Sequence, residues 1–157
     1  MLAGLADFAA LLSIMSTAIV YGTDVFCALV QRSALTRVDD ATLTAMMGNL
    51  HRFADRRLPV PGILGIAAAA TASVLAAVAG LEAEAITAGA AFLLLVVWVL
   101  LYTRISAPIN RTLTAAADAH ETPVDARALQ RRWDSVIVPR AVLQGLAVLA
   151  LAIALNS

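Results

Sequence analysis

The sequence predicts an all-α integral membrane protein: an antiparallel four-helix bundle with an amphipathic cytoplasmic helix between its first two spans, making one transmembrane domain over residues 1–157. Three observations carry that expectation. Apolar residues make up 61% of the chain and charged residues only 14%, a balance outside the soluble range. Four stretches, at about 2–30, 60–81, 85–104 and 136–155, are apolar enough to supply the roughly 20 residues a span requires. Ten of the eleven arginines fall in residues 31–58 and 103–135, beside those stretches.

The net charge of zero conceals an uneven distribution of sign, since no basic residue lies in residues 1–31 or between Pro59 and Leu101. By the positive-inside rule, the arginine-rich segments belong on the cytoplasmic side of a cell membrane. Both termini and the short Glu82-Ala83-Glu84 turn then lie on the other side. Basic residues that flank spans read as topology signals and contacts for anionic lipid, so nucleic-acid binding is not expected. The first stretch has no basic start, carries Asp7 and lacks a small-residue cleavage site, which predicts a retained span and not a signal peptide.

Taken in order, the first helix is expected to run on through Tyr21, Asp24 and Cys27 towards Val30, a length of about 43 Å at 1.5 Å per residue. That exceeds the roughly 30 Å hydrocarbon core, so this helix must tilt or protrude. Leu43, Met46, Met47, Leu50 and Ala54 recur at helical spacing, with Thr44, Asn49, Arg52, Asp55 and Arg56 on other faces, and predict an amphipathic helix over about 40–57. Asp39 or Asp40 is its cap and Pro59 with Pro61 its stop. The second span is rich in Ala and Gly, which favours close packing in lipid. The third is expected to break at Pro108. Thr122-Pro123-Val124-Asp125 reads as the start of a long final helix, which Pro139 should bend.

Few residues can carry chemistry. Asp24 and Arg140 are ionisable groups at similar expected depth, costly in lipid and therefore expected to face the bundle interior, where they can pair. Tyr21, Asp24 and Gln31 fall near one face of the first helix, with Cys27 close by; this polar stripe either lines a cavity or snorkels towards headgroups. His51 is either a general base, because imidazole exchanges protons near neutrality, or, the preferred reading, an interfacial polar contact. Asn110 and Arg111 are candidates for binding an acidic or phenolic group. Trp133 either stacks on an aromatic ligand or, the preferred reading, anchors at headgroup depth. His120 lies in a polar loop and should be solvated. With no HxxxH or HExxH pattern and one cysteine, no metal, haem or other cofactor is expected, and Cys27 reads as a packing residue.

Two short elements resemble a known family. The run Arg104-Ile-Ser-Ala-Pro-Ile-Asn110-Arg-Thr-Leu113 is similar to the N-V-P-L-N-x-x-L element that follows the third span of the anthrone oxygenase-like family. The run Arg132-Trp133-Asp-Ser-Val-Ile-Val-Pro-Arg140 resembles its second element, a tryptophan followed seven residues later by an arginine. Both occur in family order within a four-span layout. By position, Pro108 and Asn110 match the first element, Trp133 and Arg140 the second. Family members often carry asparagine or histidine two or three residues before the arginine, where this chain has Ile137 and Val138.

The resemblance implies an integral four-helix membrane protein, some of whose relatives oxidise anthrones to anthraquinones. A cofactor-independent oxygenase for a lipophilic phenolic or polyketide substrate is the first expected function. Asp24 or His51 would be its base, Arg140 its anion stabiliser, and Tyr21, Asn110 and Trp133 its substrate contacts. The alternative is a non-catalytic membrane protein, a partner subunit or small-ligand binder, in which Asp24 and Arg140 are a structural pair. Either is compatible with a homo-oligomer.

Overall fold

The computed structural model describes residues 1–156. Among them the chain forms five helices and no strand: α1 (Leu2–Leu35), α2 (Asp40–Arg57), α3 (Pro59–Val78), α4 (Glu82–Asp118) and α5 (Ala126–Ala154). All but α2 are long and apolar enough to cross a membrane, the makeup of a multi-pass membrane protein. The chain divides into two compact units.

The first unit comprises Met1–Gly22, Pro59–Val99 and Val142–Ser157. Its core is built mainly of alanine: Ala9, Ala10, Ala69, Ala72, Ala88, Ala91 and Ala147 pack with Leu95 and Leu151. Lipid tails compete for apolar surface as well as leucine does, so helices there associate through close contact between small residues. The approach is close enough for side chains to reach backbone. Ser13 Oγ donates to the Gly65 carbonyl at 2.8 Å, and a Cβ on Gly65 would lie 2.7 Å from Thr17 Oγ1. Ser73 Oγ donates to the Ala85 carbonyl at 2.9 Å.

The turn between α3 and α4 is residues 79–81, not Glu82 to Glu84 as the sequence suggests. Gly80 takes the left-handed conformation at φ +77°, which lets the Leu81 N–H reach back to the Ala76 carbonyl at 2.9 Å. Glu82 and Glu84 occupy the first turn of α4, where their charge complements the helix dipole.

The second unit comprises Thr23–Leu58 and Leu100–Ala141. The Asp39 side chain caps α2 by accepting from the Thr42 N–H at 2.7 Å, and this bond holds its carboxyl below the usual range. Helix α2 then packs on the 107–118 part of α4. A Cβ on Gly48 would collide with the Leu113 carbonyl oxygen and the Ala117 Cβ, and Thr114 Oγ1 donates to the Gly48 carbonyl at 3.1 Å. Arg52 pairs with Asp118. Arg127 ties α5 to the α1–α2 connection, donating to Asp40 at 2.6 Å, to the Leu35 carbonyl at 2.7 Å and to the Val38 carbonyl. Cys27, Leu35, Leu43, Met47, Ile109, Leu113, Trp133 and Ile137 make the apolar core.

Three local features of this unit depart from expectation. Helices α1 and α4 each contain a π turn, at Cys27–Gln31 and Tyr102–Ser106, closed by bonds from the Arg32 N–H to the Cys27 carbonyl and from the Ala107 N–H to the Tyr102 carbonyl. The second π turn is why Pro108 does not break the helix. With acceptors five residues back, the widened turn accommodates the missing N–H and the ring, and α4 continues to Asp118. Helix α5 starts at Ala126, not at Thr122 or Pro123, because Ala126 N–H bonds the Pro123 carbonyl at 3.1 Å and closes a separate turn first. Finally, Thr44 is buried and Asp55 half-buried, so neither lies on an outer polar face of α2.

Candidate functional site

The second unit gathers a continuous set of polar side chains. Asp24 and Arg140 are 3% and 5% exposed, and Arg140 Nη2 donates to Asp24 Oδ1 at 2.9 Å. Arg140 Nη1 donates to Ser106 Oγ at 2.8 Å. The guanidinium also lies 5.5 Å from the centre of the Tyr102 ring and 5.8 Å from that of Trp133, within cation–π range. Pro139 is exposed, and α5 runs through it as one helix, delivering Arg140 to the inside.

From Tyr102 the network continues. Its hydroxyl donates to Asp55 Oδ1 at 2.9 Å, and Asn110 Nδ2 donates to the two oxygens of the same carboxylate at 2.9 and 3.2 Å. Asn110 Oδ1 in turn accepts from Trp133 Nε1 at 2.9 Å. These contacts require Tyr102, Ser106 and Asn110 to share a face of α4. Residues eight apart on an α-helix are rotated by about 80°. The extra residue of the π turn removes most of that rotation, so the turn is what aligns the three side chains.

His51 completes the cluster, its ring centred 5.5 Å from that of Trp133 at 47°. It is 2% exposed, and its Nε2 makes no hydrogen bond to another residue. Burial pushes its pKa down to about 4, with Asp55 opposing the shift and Arg140 adding to it. The imidazole is therefore neutral at pH 7, and the neutral form is the one that accepts a proton.

Of the residues singled out in the sequence for their chemistry, all but Tyr21 lie in the second unit, which brings Asp24, His51, Asn110, Trp133 and Arg140 into the cluster and leaves Arg111 exposed. Tyr21 belongs to the first unit, where its ring packs at Gly145: a Cβ there would lie 3.2 Å from the tyrosine hydroxyl. Trp133 is 5% exposed and bonded to Asn110; it is an internal side chain, not a headgroup anchor, because its N–H finds its partner inside. Gln31 is buried and donates to Met47 Sδ at 3.0 Å. Cys27 is a buried packing residue, and His120 is exposed, with φ of 56°.

Sequence reading missed Asp55, Tyr102 and Ser106. The four-residue spacing of Tyr102, Ser106 and Asn110 was the available signal for two of them. Among the described residues, no group of three or more His, Cys, Asp or Glu is placed to hold a metal ion. No family model, curated protein or solved structure matches the chain.

Proposed function

We propose that this is a membrane protein similar to the anthrone oxygenase-like family, acting on a lipophilic phenolic or polyketide substrate without a protein-held cofactor. One observation supports this reading above the others: a neutral, buried imidazole with an unengaged Nε2, beside an aromatic ring that also contacts a guanidinium. In this reading the four long helices form an antiparallel bundle, α2 is its amphipathic interfacial helix, and the arginine-rich segments lie on the cytoplasmic side of the membrane with both termini on the other. A lipophilic aromatic molecule is the expected partner.

The chemistry asks little of the protein. His51 Nε2 takes a proton from the activated methylene carbon of an anthrone, leaving an electron-rich anion. That carbon gives electrons to dioxygen and forms a C–O bond; the resulting peroxide takes the proton back and expels water, leaving a second carbonyl. The carbon is oxidised, one oxygen atom stays in the quinone and the other leaves as water. Arg140, the cation whose field reaches His51, stabilises the anion. Asp24 is a weaker candidate for the base than His51, because it is committed to Arg140.

The same commitment favours a second reading, a non-catalytic small-ligand binder or partner subunit in which Asp24 and Arg140 are structural. Dioxygen uptake with an anthrone, measured above the protein-free rate on protein purified in mild detergent, separates the two. The enzyme reading expects uptake that falls by about 100-fold or more in His51→Gln, the usual range for losing a general base, and that falls in Arg140→Ala. Absence of uptake, with no co-purifying aromatic molecule by mass spectrometry, would leave the non-catalytic reading.

A further inference from the structure

Among the buried polar atoms of the second unit that make no hydrogen bond to another residue are Gln31 Oε1, His51 Nε2 and Gln130 Oε1. The side chains are 2–4% exposed. A chain of contacts links the three side chains. Gln31 bonds Met47, Met47 is one turn from His51 on α2, His51 packs on Trp133, and Trp133 is three residues from Gln130 on α5.

The orientation of both amides is determined chemically. Gln130 Nε2 donates to Asp134 Oδ1 at 2.9 Å, which turns the Gln130 carbonyl oxygen the other way. Gln31 Nε2 faces the Met47 thioether, which likewise only accepts. Two amide oxygens are thus left as acceptors, and a neutral imidazole with its proton on Nδ1 supplies a third at Nε2, the ring nitrogen without a partner. Buried acceptors without partners are rare in folded proteins and call for an occupant that donates.

We propose that Gln31, His51 and Gln130 form a binding site for a lipophilic molecule bearing hydroxyl donors, with Trp133 as its aromatic wall. This deepens the proposed function, on which it rests, by assigning the contacts that orient a phenolic substrate against His51. The two amides position the ligand through its hydroxyl hydrogens; His51 is left to accept from the group that reacts.

The test uses the full chain in mild detergent and a Trp98→Phe background, so that fluorescence reports Trp133. 4-Bromophenol supplies a hydroxyl donor and a bromine that quenches indole on contact; 4-bromoanisole has nearly the same shape and no donor. Saturable quenching by the phenol, at least about tenfold tighter than by the ether, is expected, since one hydrogen bond is worth about that much. Gln31→Met and Gln130→Met keep side-chain length, remove the acceptor and should each weaken the phenol about tenfold.

Equal binding of phenol and ether, or no saturable quenching by the phenol, overturns the site, and that comparison needs no site variant to fold. Unchanged affinity in both glutamine variants overturns it as well. Binding without dioxygen uptake would leave the site standing and remove the enzyme reading; uptake without binding would do the reverse.

Discussion

His51 and the Asp24–Arg140 pair show how much a single buried polar group can govern. The imidazole titrates near 6.5 when exposed and at about 4 in the folded protein, so as pH falls the unfolded chain takes the proton first. Stability contributed by neutral His51 is complete above pH 6.5 and is lost between 6.5 and 4, by about 3 kcal/mol. Denaturation of wild type should therefore turn acid-sensitive across that window, and His51→Gln should flatten the profile; an unchanged profile in the variant would show that other groups dominate. Asp24 and Arg140 obey a different rule. Removing one partner leaves a buried charge alone, so Asp24→Leu and Arg140→Met should each cost about 3 kcal/mol. The double variant should cost clearly less than the two together, by about 2 kcal/mol; strict additivity in detergent-unfolding titrations would contradict the pairing. Both charged residues stand out in the sequence because ionisable groups in an apolar stretch are conspicuous. His51 is equally visible as a residue, but its burial is not, since it adjoins the exposed surface of α2 in any helical projection.

At the scale of elements, α2 was legible almost to its ends, because its cap Asp39, its 3.6-residue apolar period and the prolines that follow it are all local signals. The π turns were not. A π turn needs no special composition, so nothing at Cys27–Gln31 or Tyr102–Ser106 announces it, and its consequences for Pro108 and for the Ser106–Asn110 face went unread. Asp55 was lost for a related reason: polar residues on a periodic helix are assigned outward unless a partner is known, and its partners, Tyr102 and Asn110, come from a distant part of the chain. Close helix contact is the other hidden feature. Gly48 lies directly against the α4 backbone, so Gly48→Ala should destabilise the protein by about 2 kcal/mol through overpacking. Gly22 is the control, with nothing within 4 Å of an added Cβ; Gly22→Ala should stabilise by up to about 1 kcal/mol through helix propensity. If the two substitutions behaved alike in thermal denaturation, the α2–α4 contact would not be as tight as its geometry requires.

Across the whole molecule, charge divides as sharply as packing does. The first unit carries only Asp7, Glu82 and Glu84 among its charged side chains, a balance of −3, while the second sets eleven arginines against eight carboxylates for +3. Three of those arginines are engaged by Asp24, Asp40 and Asp118. The other eight, Arg32, Arg37, Arg56, Arg57, Arg104, Arg111, Arg131 and Arg132, are exposed, beside the ends of apolar helices. Exposed arginines in that position are the ones that resist translocation, whereas acidic residues contribute little to orientation. The proposed orientation therefore rests on these eight and not on net charge. Alkaline phosphatase, active only outside the cytoplasm, should be active when fused after residue 157 in a bacterial host and inactive when inserted at residue 37. Replacing the eight arginines by glutamine should erode that difference, while replacing Asp7, Glu82 and Glu84 by their amides should leave it intact. An active enzyme at residue 37 of the wild-type chain would reverse the orientation and place the His51 site on the opposite face of the membrane.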